Sequence, residues 1–182
     1  KLEQEGRIIR VRGGAIAAQS PMAGQEANFT CRAKQNVSAK EDIARIAADL
    51  VYPGHAYYLD AGSTILTLTY FLILGLNRLE TEKGSDAGRE LDAMMTAAEL
   101  AQKNRYNITL LGGQVSGVTL SCSGPQAEQM LDGMNIDVAI MAASGYSFNG
   151  GFTSGSLQEA QLKQRVIRKA ACTMMLMDCG KI

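Results

Sequence analysis

Apolar residues in this chain fall into two kinds of segment. Short continuous runs, Ala56-Tyr57-Tyr58-Leu59, Ile108-Thr109-Leu110-Leu111 and Ile136 to Ala142, carry the signature of strands covered on both faces. Between them lie stretches with helical spacing. Ser38-Ala39-Lys40-Glu41 has the form of a capping box and opens a helix to about Val51, with Ile43, Ile46, Ala47 and Leu50 on one face. Pro53-Gly54 then turns the chain into the strand Ala56–Leu59, followed by a helix from Ile65 to Leu74. Further along, Leu91 to Thr96 is expected as a short strand, Ala97 to Lys103 as a helix, and Val115 to Ser123 as β-rich. Gly124-Pro125 precedes a helix from Gln126 to Leu131. Ser144 to Gly155 is expected as a glycine-rich loop, and Ser156-Leu157-Gln158-Glu159 as a second capping box opening a helix to about Ala171. Thr173 to Met177 closes the pattern as a strand with Asp178 at its end.

Strands alternating with helices predict an α/β fold, with a mostly parallel sheet and helices on both faces. Before that unit, Lys1 to Gly6 looks like the tail of a helix closed by a glycine. Arg7-Ile8-Ile9-Arg10-Val11-Arg12 alternates basic and β-branched residues, as a strand with a basic face, and Gly13-Gly14 ends it. Such a face fits a phosphate backbone and a solvated edge strand equally well. Residues 15–37 lack periodicity and contain Ser20-Pro21 and Gly24, so they are expected to be a linker. Asn77 to Glu90, charged and dotted with glycine, is expected as a surface loop.

At 182 residues the chain is long enough for one sizeable core. Its 18 basic residues balance 18 acidic ones, so no global field draws it to nucleic acid or to a membrane surface. Cys31, Cys122, Cys172 and Cys179 are widely separated with no CxxC pair, which argues against a zinc site and for buried, reduced thiols in a cytoplasmic protein. No metal or cofactor is called for, and no apolar run is long enough to span a bilayer. His55, the single histidine, sits in a turn and has the look of a surface residue.

The candidate chemistry lies at strand ends. In open parallel sheets ligands bind outside the carboxyl ends of the strands. The residues at those positions are Asp60-Ala61-Gly62-Ser63-Thr64, Thr96, Gly112-Gly113, Ser144-Gly145 and Asp178 to Lys181. The first of these is a strand-to-helix turn, where unpaired amides and the helix dipole favour an anion, although Ser and Thr also cap helices for local reasons. Lys163, four residues after Glu159, has the placement of a plain helix-surface ion pair.

The order of these motifs resembles the DeoR family of bacterial transcriptional repressors over nearly the whole chain. Gly6 to Ala15 is similar to the end of that family's winged helix-turn-helix and its hinge, and Phe29-Thr30-Cys31-Arg32 with Lys40 to the lead into its effector domain. Asp60 to Thr64, Leu111-Gly112-Gly113, Gly124, Asp137, Gly151-Phe152-Thr153, Glu159-Ala160 with Lys163, and Asp178 to Lys181 continue in family order. Three features depart from the pattern: Thr96-Ala97 where the family has Thr-Asn, Cys179-Gly180 where it has two serines, and a longer 77–90 segment.

The resemblance implies a remnant of the DNA-binding domain over 1–14, a linker over 15–37, and an effector-binding and oligomerisation domain over 38–182 cut at its C-terminus. The fold would be like that of ribose-5-phosphate isomerase. The ligand would be a phosphorylated sugar or sugar derivative that modulates binding to operator DNA, in a homo-oligomer (dimer or tetramer), with no membrane partner. Effector contacts would come from Asp60, Gly62, Ser63, Thr64, Thr96, Gly112, Gly113, Ser144, Gly145, Lys163 and Lys181, with Arg7, Arg10 and Arg12 near DNA. A sugar-phosphate isomerase or deaminase on the same fold is the alternative, with Asp60, Glu159 or Asp178 as base. It lacks an evident partner for any of them and gives the arginine strand no purpose. A subunit that oligomerises without a small ligand is the third reading.

Overall fold

Why Val138–Ala142 forms the central strand follows from its neighbours on both sides. In the computed structural model, which describes residues 8–11, 14–17, 29–74, 93–102 and 107–182, this strand lies between two parallel partners. Side chains are described for 29–72, 97, 98, 100–102 and 107–182. Numbered along the chain, the first strands are β1 (Ile8–Val11), β2 (Gly14–Ala17) and β3 (Tyr57–Leu59). Next come β4 (Gln114–Val115), β5 (Cys122–Ser123) and the central β6 (Val138–Ala142). The last are β7 (Gly145–Ser147), β8 (Gly151–Thr153) and β9 (Cys172–Leu176). The helices are α1 (Phe29–Ala33), α2 (Val37–Ala48), α3 (Ser63–Leu74), α4 (Ala93–Gln102), α5 (Pro125–Asp132) and α6 (Leu157–Lys169).

The parallel sheet has the order β3-β6-β9, with Leu59 opposite Ile140 and Leu176 opposite Ala142. Alternate residues of β6 feed two separate cores. Ile140 and Ala142 pack with Ala44 and Ala47 of α2 and Ile65 and Leu68 of α3, whereas Ala139 and Met141 pack with Ala127 and Leu131 of α5 and Leu162 and Val166 of α6. The expected α/β architecture, helices on both faces of a parallel sheet, is therefore present. Among the described residues no helix is long and apolar enough to cross a membrane.

Several local expectations give way. Residues 15–37 are not without structure, since β2 pairs antiparallel with β1 and α1 lies at Phe29–Ala33. The Ser38 capping box does not form: α2 starts at Val37 after Asn36, a residue at φ 50° whose side chain makes no cap bond. Its amide instead donates to Asp178 Oδ1 at 2.8 Å. The buried face of α2 is Lys40, Ala44 and Ala47, while Ile46 and Leu50 are 66% and 44% exposed. Alanine allows α2 and α3 to approach closely, and the Lys40 ammonium is spent on the carbonyls of Arg32 and Gln35. The helix ends at Ala48, and α6 at Lys169, each two or three residues early.

Ala93–Thr96 is helical, in keeping with its Ala and Met content, rather than the expected strand. Residues 108–111 are not in a sheet, and Ile108 and Leu110 are exposed where a buried strand was expected. The glycine-rich 144–155 segment is a hairpin, β7 with β8, in which Tyr146 and Phe152 stack across the strands at 5.0 Å. All four cysteines are free, but Cys31, Cys172 and Cys179 are exposed rather than buried. The helix tail at 1–6, the loop at 77–90, Arg7, Arg12 and the side chains of Arg10 and Thr96 lie outside the described residues.

Lys40 offers a direct check on this packing. Lys40→Met keeps the apolar stem but strips two carbonyls of their donor, so the unfolding free energy in urea should fall by about 1–3 kcal/mol. An unchanged value would mean those carbonyls find other partners.

Candidate functional site

The site is built where β3 ends. Asp60 continues the ladder by donating its N–H to the Ile140 carbonyl at 3.0 Å, and its carboxylate turns inward, with the residue 7% exposed. Oδ1 accepts from the Ala61 N–H at 2.9 Å. Oδ2 accepts from the Ala142 N–H at 2.9 Å and from Lys163 Nζ at 2.9 Å. Lys163 also donates to the Ala142 carbonyl at 2.8 Å. The helix-surface pair of Lys163 with Glu159 expected from their spacing is thus replaced by a buried pair with Asp60, because α6 lies against the sheet with this face inward. Burial pushes the Asp60 carboxyl above the usual range, and the Lys163 charge and the two amides oppose that shift.

Gly62 sits one residue before α3, and a Cβ there would lie 3.1 Å from that of Ala142. This closeness brings the first turn of α3, with its unpaired amides, against the end of β6. Ser63 and Thr64 are buried, and the Thr64 hydroxyl has no hydrogen-bond partner among the described residues.

The cleft at this edge is lined by Ala61, Gly62 and Ser63 from the β3–α3 turn and by Ala142, Ala143 and Ser144 after β6. Lys163 and Glu159 of α6, Lys181, Arg32 of α1, and Thr119 from the β4–β5 turn complete it. Lys181 lies in a 3₁₀ turn, Cys179–Lys181, whose first residue follows Asp178. Asp178 Oδ1 accepts from the Gly180 N–H at 3.1 Å, and Lys181 Nζ donates to the Ala143 carbonyl at 2.9 Å. Ser144 Oγ accepts from the Gly155 N–H at 3.2 Å, which ties the β7–β8 hairpin to the cleft rim.

Of the residues singled out from the sequence, Gly62, Ser63, Ser144, Lys163 and Lys181 converge on this cleft. Asp60 does not line this cleft, and its carboxylate is held by the Ala61 and Ala142 amides and by Lys163. Thr64 is buried behind the wall. Gly145 lies in β7, where a Cβ would meet the Thr153 hydroxyl at 3.3 Å. Gly112 and Gly113 are elsewhere: Gly113 has φ +138°, and a Cβ would lie 2.5 Å from the Ser123 carbonyl, so close packing on β5 accounts for this glycine.

Arg32 and Thr119 carried no expected role in ligand contact, and Glu159 was expected there only as a base in the isomerase alternative. Only the i,i+2 spacing of Thr119 and Ser121 hinted at paired hydroxyls on one side of a turn. Three cations (Arg32, Lys163, Lys181) and one carboxylate (Glu159) line the cleft, and the charge of Lys163 is matched by Asp60. Chemically, the cleft is suited to an anion that also carries hydrogen-bonding groups.

Comparison with known proteins supplies the lineage. Residues 92–182 match the family described as the DeoR C terminal sensor domain. The chain is 29% identical over 181 residues to the HTH-type transcriptional regulator GolR of Listeria innocua, covering 100% of this chain and 67% of that protein. It is 27% identical over 183 residues to the HTH-type transcriptional repressor GlcR of Bacillus subtilis, covering 100% and 66%. It is 25% identical over 181 residues to the L-fucose operon activator of Haemophilus influenzae, covering 100% and 68%. The chain spans about two thirds of the length of these relatives.

The Asp60–Lys163 pair can be tested by removing its cation. Lys163→Met leaves a buried, uncompensated carboxylate and should cost about 3–5 kcal/mol of stability near neutral pH. Without Lys163 the folded Asp60 pKa rises further above its unfolded value of about 3.9. The folded state then binds the extra proton more readily, so this loss should shrink as pH falls through the raised folded pKa toward that value. Urea unfolding of wild type and variant across acid to neutral pH measures it. A cost that is constant with pH would contradict the pairing.

Proposed function

The chain belongs to the DeoR family of transcriptional regulators, and from that premise we propose that the cleft is the effector site through which a phosphorylated sugar or sugar derivative modulates DNA binding. The protein is a regulator, not an enzyme. The observation that carries the effector reading is the meeting, in one cleft, of the α3 N-terminus with Lys181 and Arg32. Helix-terminal amides and flanking cations together are a recurrent way of holding a phosphate. The sugar half of the reading draws support from a relative named for an L-fucose operon. In line with a sensor, two of the three carboxylates weighed as bases for a sugar-phosphate isomerase are committed elsewhere. Asp60 is tied to Lys163, Ala61 and Ala142, and Asp178 to Asn36 and Gly180.

Coupling to DNA requires two states of the protein that differ in effector affinity. Two elements are placed to report occupancy. The β7–β8 hairpin is held to the rim through Ser144, and its contacts with a neighbouring subunit would shift as it reorders. Helix α1 brings Arg32 to the cleft, is bound to the β4–β5 turn by the Phe29 N–H to the Val118 carbonyl at 2.9 Å, and stands between the cleft and the N-terminal hairpin in the chain. In the full regulator, a homo-oligomer of two or four such chains would match a repeated or palindromic operator, with the basic Arg7–Arg12 segment near DNA.

Thermal unfolding in the presence of phosphorylated and unphosphorylated sugars tests the reading. A phosphorylated sugar at a hundred times its dissociation constant should stabilise the fold by about 2.7 kcal/mol, and the unphosphorylated sugar should do little. The shift should be lost in Lys181→Ala and reduced in Ser63→Ala with Thr64→Ala. Equal stabilisation by both sugar forms, or a shift that survives Lys181→Ala, would refute it.

A further inference from the structure

We infer that Glu159 determines specificity in this cleft, its carboxylate accepting hydrogen bonds from hydroxyl groups on the uncharged end of the effector. The inference rests on the effector reading above and narrows it: the ligand is a polyhydroxylated anion, read at its hydroxyl end, and not merely an anion.

Glu159 occupies the third position of α6, where Ser156 caps its N–H. In a full capping box its carboxylate would reach back to the Ser156 backbone. Instead it points into the fold, is 7% exposed, and lines both the cleft and a small cavity behind it formed with Tyr58, Asp60, Ser121 and Cys122. Thr119 Oγ1 donates to Oε1 at 2.5 Å, and Ser121 Oγ donates to the same oxygen. The second oxygen, Oε2, has one long contact, with the Ser154 hydroxyl at 3.4 Å.

Among the described residues no lysine or arginine pairs with Glu159, and Lys163, one turn further along α6, is taken by Asp60. A buried carboxylate held by neutral donors on one oxygen, with the other scarcely used, is an acceptor in want of a donor. The two supporting hydroxyls are themselves built in. Thr119 and Ser121 are 7% and 4% exposed, and Leu120 between them is held at φ 54°, a conformation unfavourable for a side chain of its kind. Such local strain persists only where surrounding structure imposes it.

The geometry polarises the cleft. The α3 N-terminus, Arg32 and Lys181 favour the anionic group, and Glu159 repels it, so the anion lies at the cationic side and a donor-bearing part of the ligand meets Oε2. A site that accepts from a hydroxyl discriminates sharply against a ligand lacking it, because the buried acceptor is then left unpaired.

The test compares wild type with Glu159→Gln by calorimetric binding of inorganic phosphate and of the 6-phosphates of glucose, galactose and mannose. Glutamine keeps one carbonyl oxygen for Thr119 and Ser121 and replaces the other oxygen with a donor. In wild type at least one hexose phosphate should bind tighter than inorganic phosphate by about tenfold or more. Glu159→Gln should bind inorganic phosphate at least as well as wild type and lose most of that preference. Thr119→Val with Ser121→Ala, which leaves the carboxylate but removes its support, should also retain phosphate binding and weaken the preference, which keeps the test decisive if the glutamine variant folds poorly. A preference intact in the variants, or absent in wild type while phosphate binds, would overturn the role of Glu159 alone. Failure of every phosphate to bind wild type would overturn it together with the effector site.

Discussion

One buried ion pair joins the three elements from which the cleft is made. Asp60 ends β3, takes the Ala142 N–H of β6, and is neutralised by Lys163 of α6, which returns to the Ala142 carbonyl. Both hydrogen-bonding groups of Ala142 are thereby used by one acid and one base. A carboxylate at this depth would be costly without its cation. The pair therefore sets where α6 sits on the sheet, and with it the position of Glu159 one turn earlier. It also sets the start of α3, since Gly62 can approach Ala142 only with the β3 end held in this register.

The electrostatic character of the cleft follows from that constraint. Lys163 is a conspicuous cation at this edge, yet its charge is largely matched by Asp60, and in the proposed effector site the anion would be held by the α3 amides, Lys181 and Arg32. Lys181 is positioned by a second acid, Asp178, which caps the 3₁₀ turn and receives Asn36 from the α1–α2 connection. The two aspartates thus act as scaffolding for residues that line the cleft. Glu159 is the carboxylate that lines the cleft.

How much of this was legible in the sequence depended on how local the cause was. The parallel sheet could be read from β6, whose unbroken apolar run leaves no face for solvent, and the α6 start from Ser156. The strand-end rule picked out Gly62, Ser63, Ser144 and Lys181. By contrast, α2 buries Lys40, Ala44 and Ala47, a stripe that hydrophobicity does not mark because two members are small and one is charged. Residues 108–111 have the composition of a strand without the neighbour that would make them one. Lys163 and Glu159 stand at ideal spacing for a surface pair, and only the packing of α6 shows that each turns to a different partner. Gly113 shows the same limit from the other side: a glycine at a predicted strand end proved to serve close packing on β5.

The most direct measurement of the central claim is an amide-resolved NMR titration of this chain with a hexose 6-phosphate that stabilises it. The account predicts saturable shifts concentrated at Gly62, Ser63 and Thr64, at Lys181 and in the Thr119–Ser121 turn, with the matching unphosphorylated hexose leaving the first three unmoved. Shifts scattered over exposed basic positions such as Arg45 and Arg168, with the α3 N-terminus silent, would contradict it.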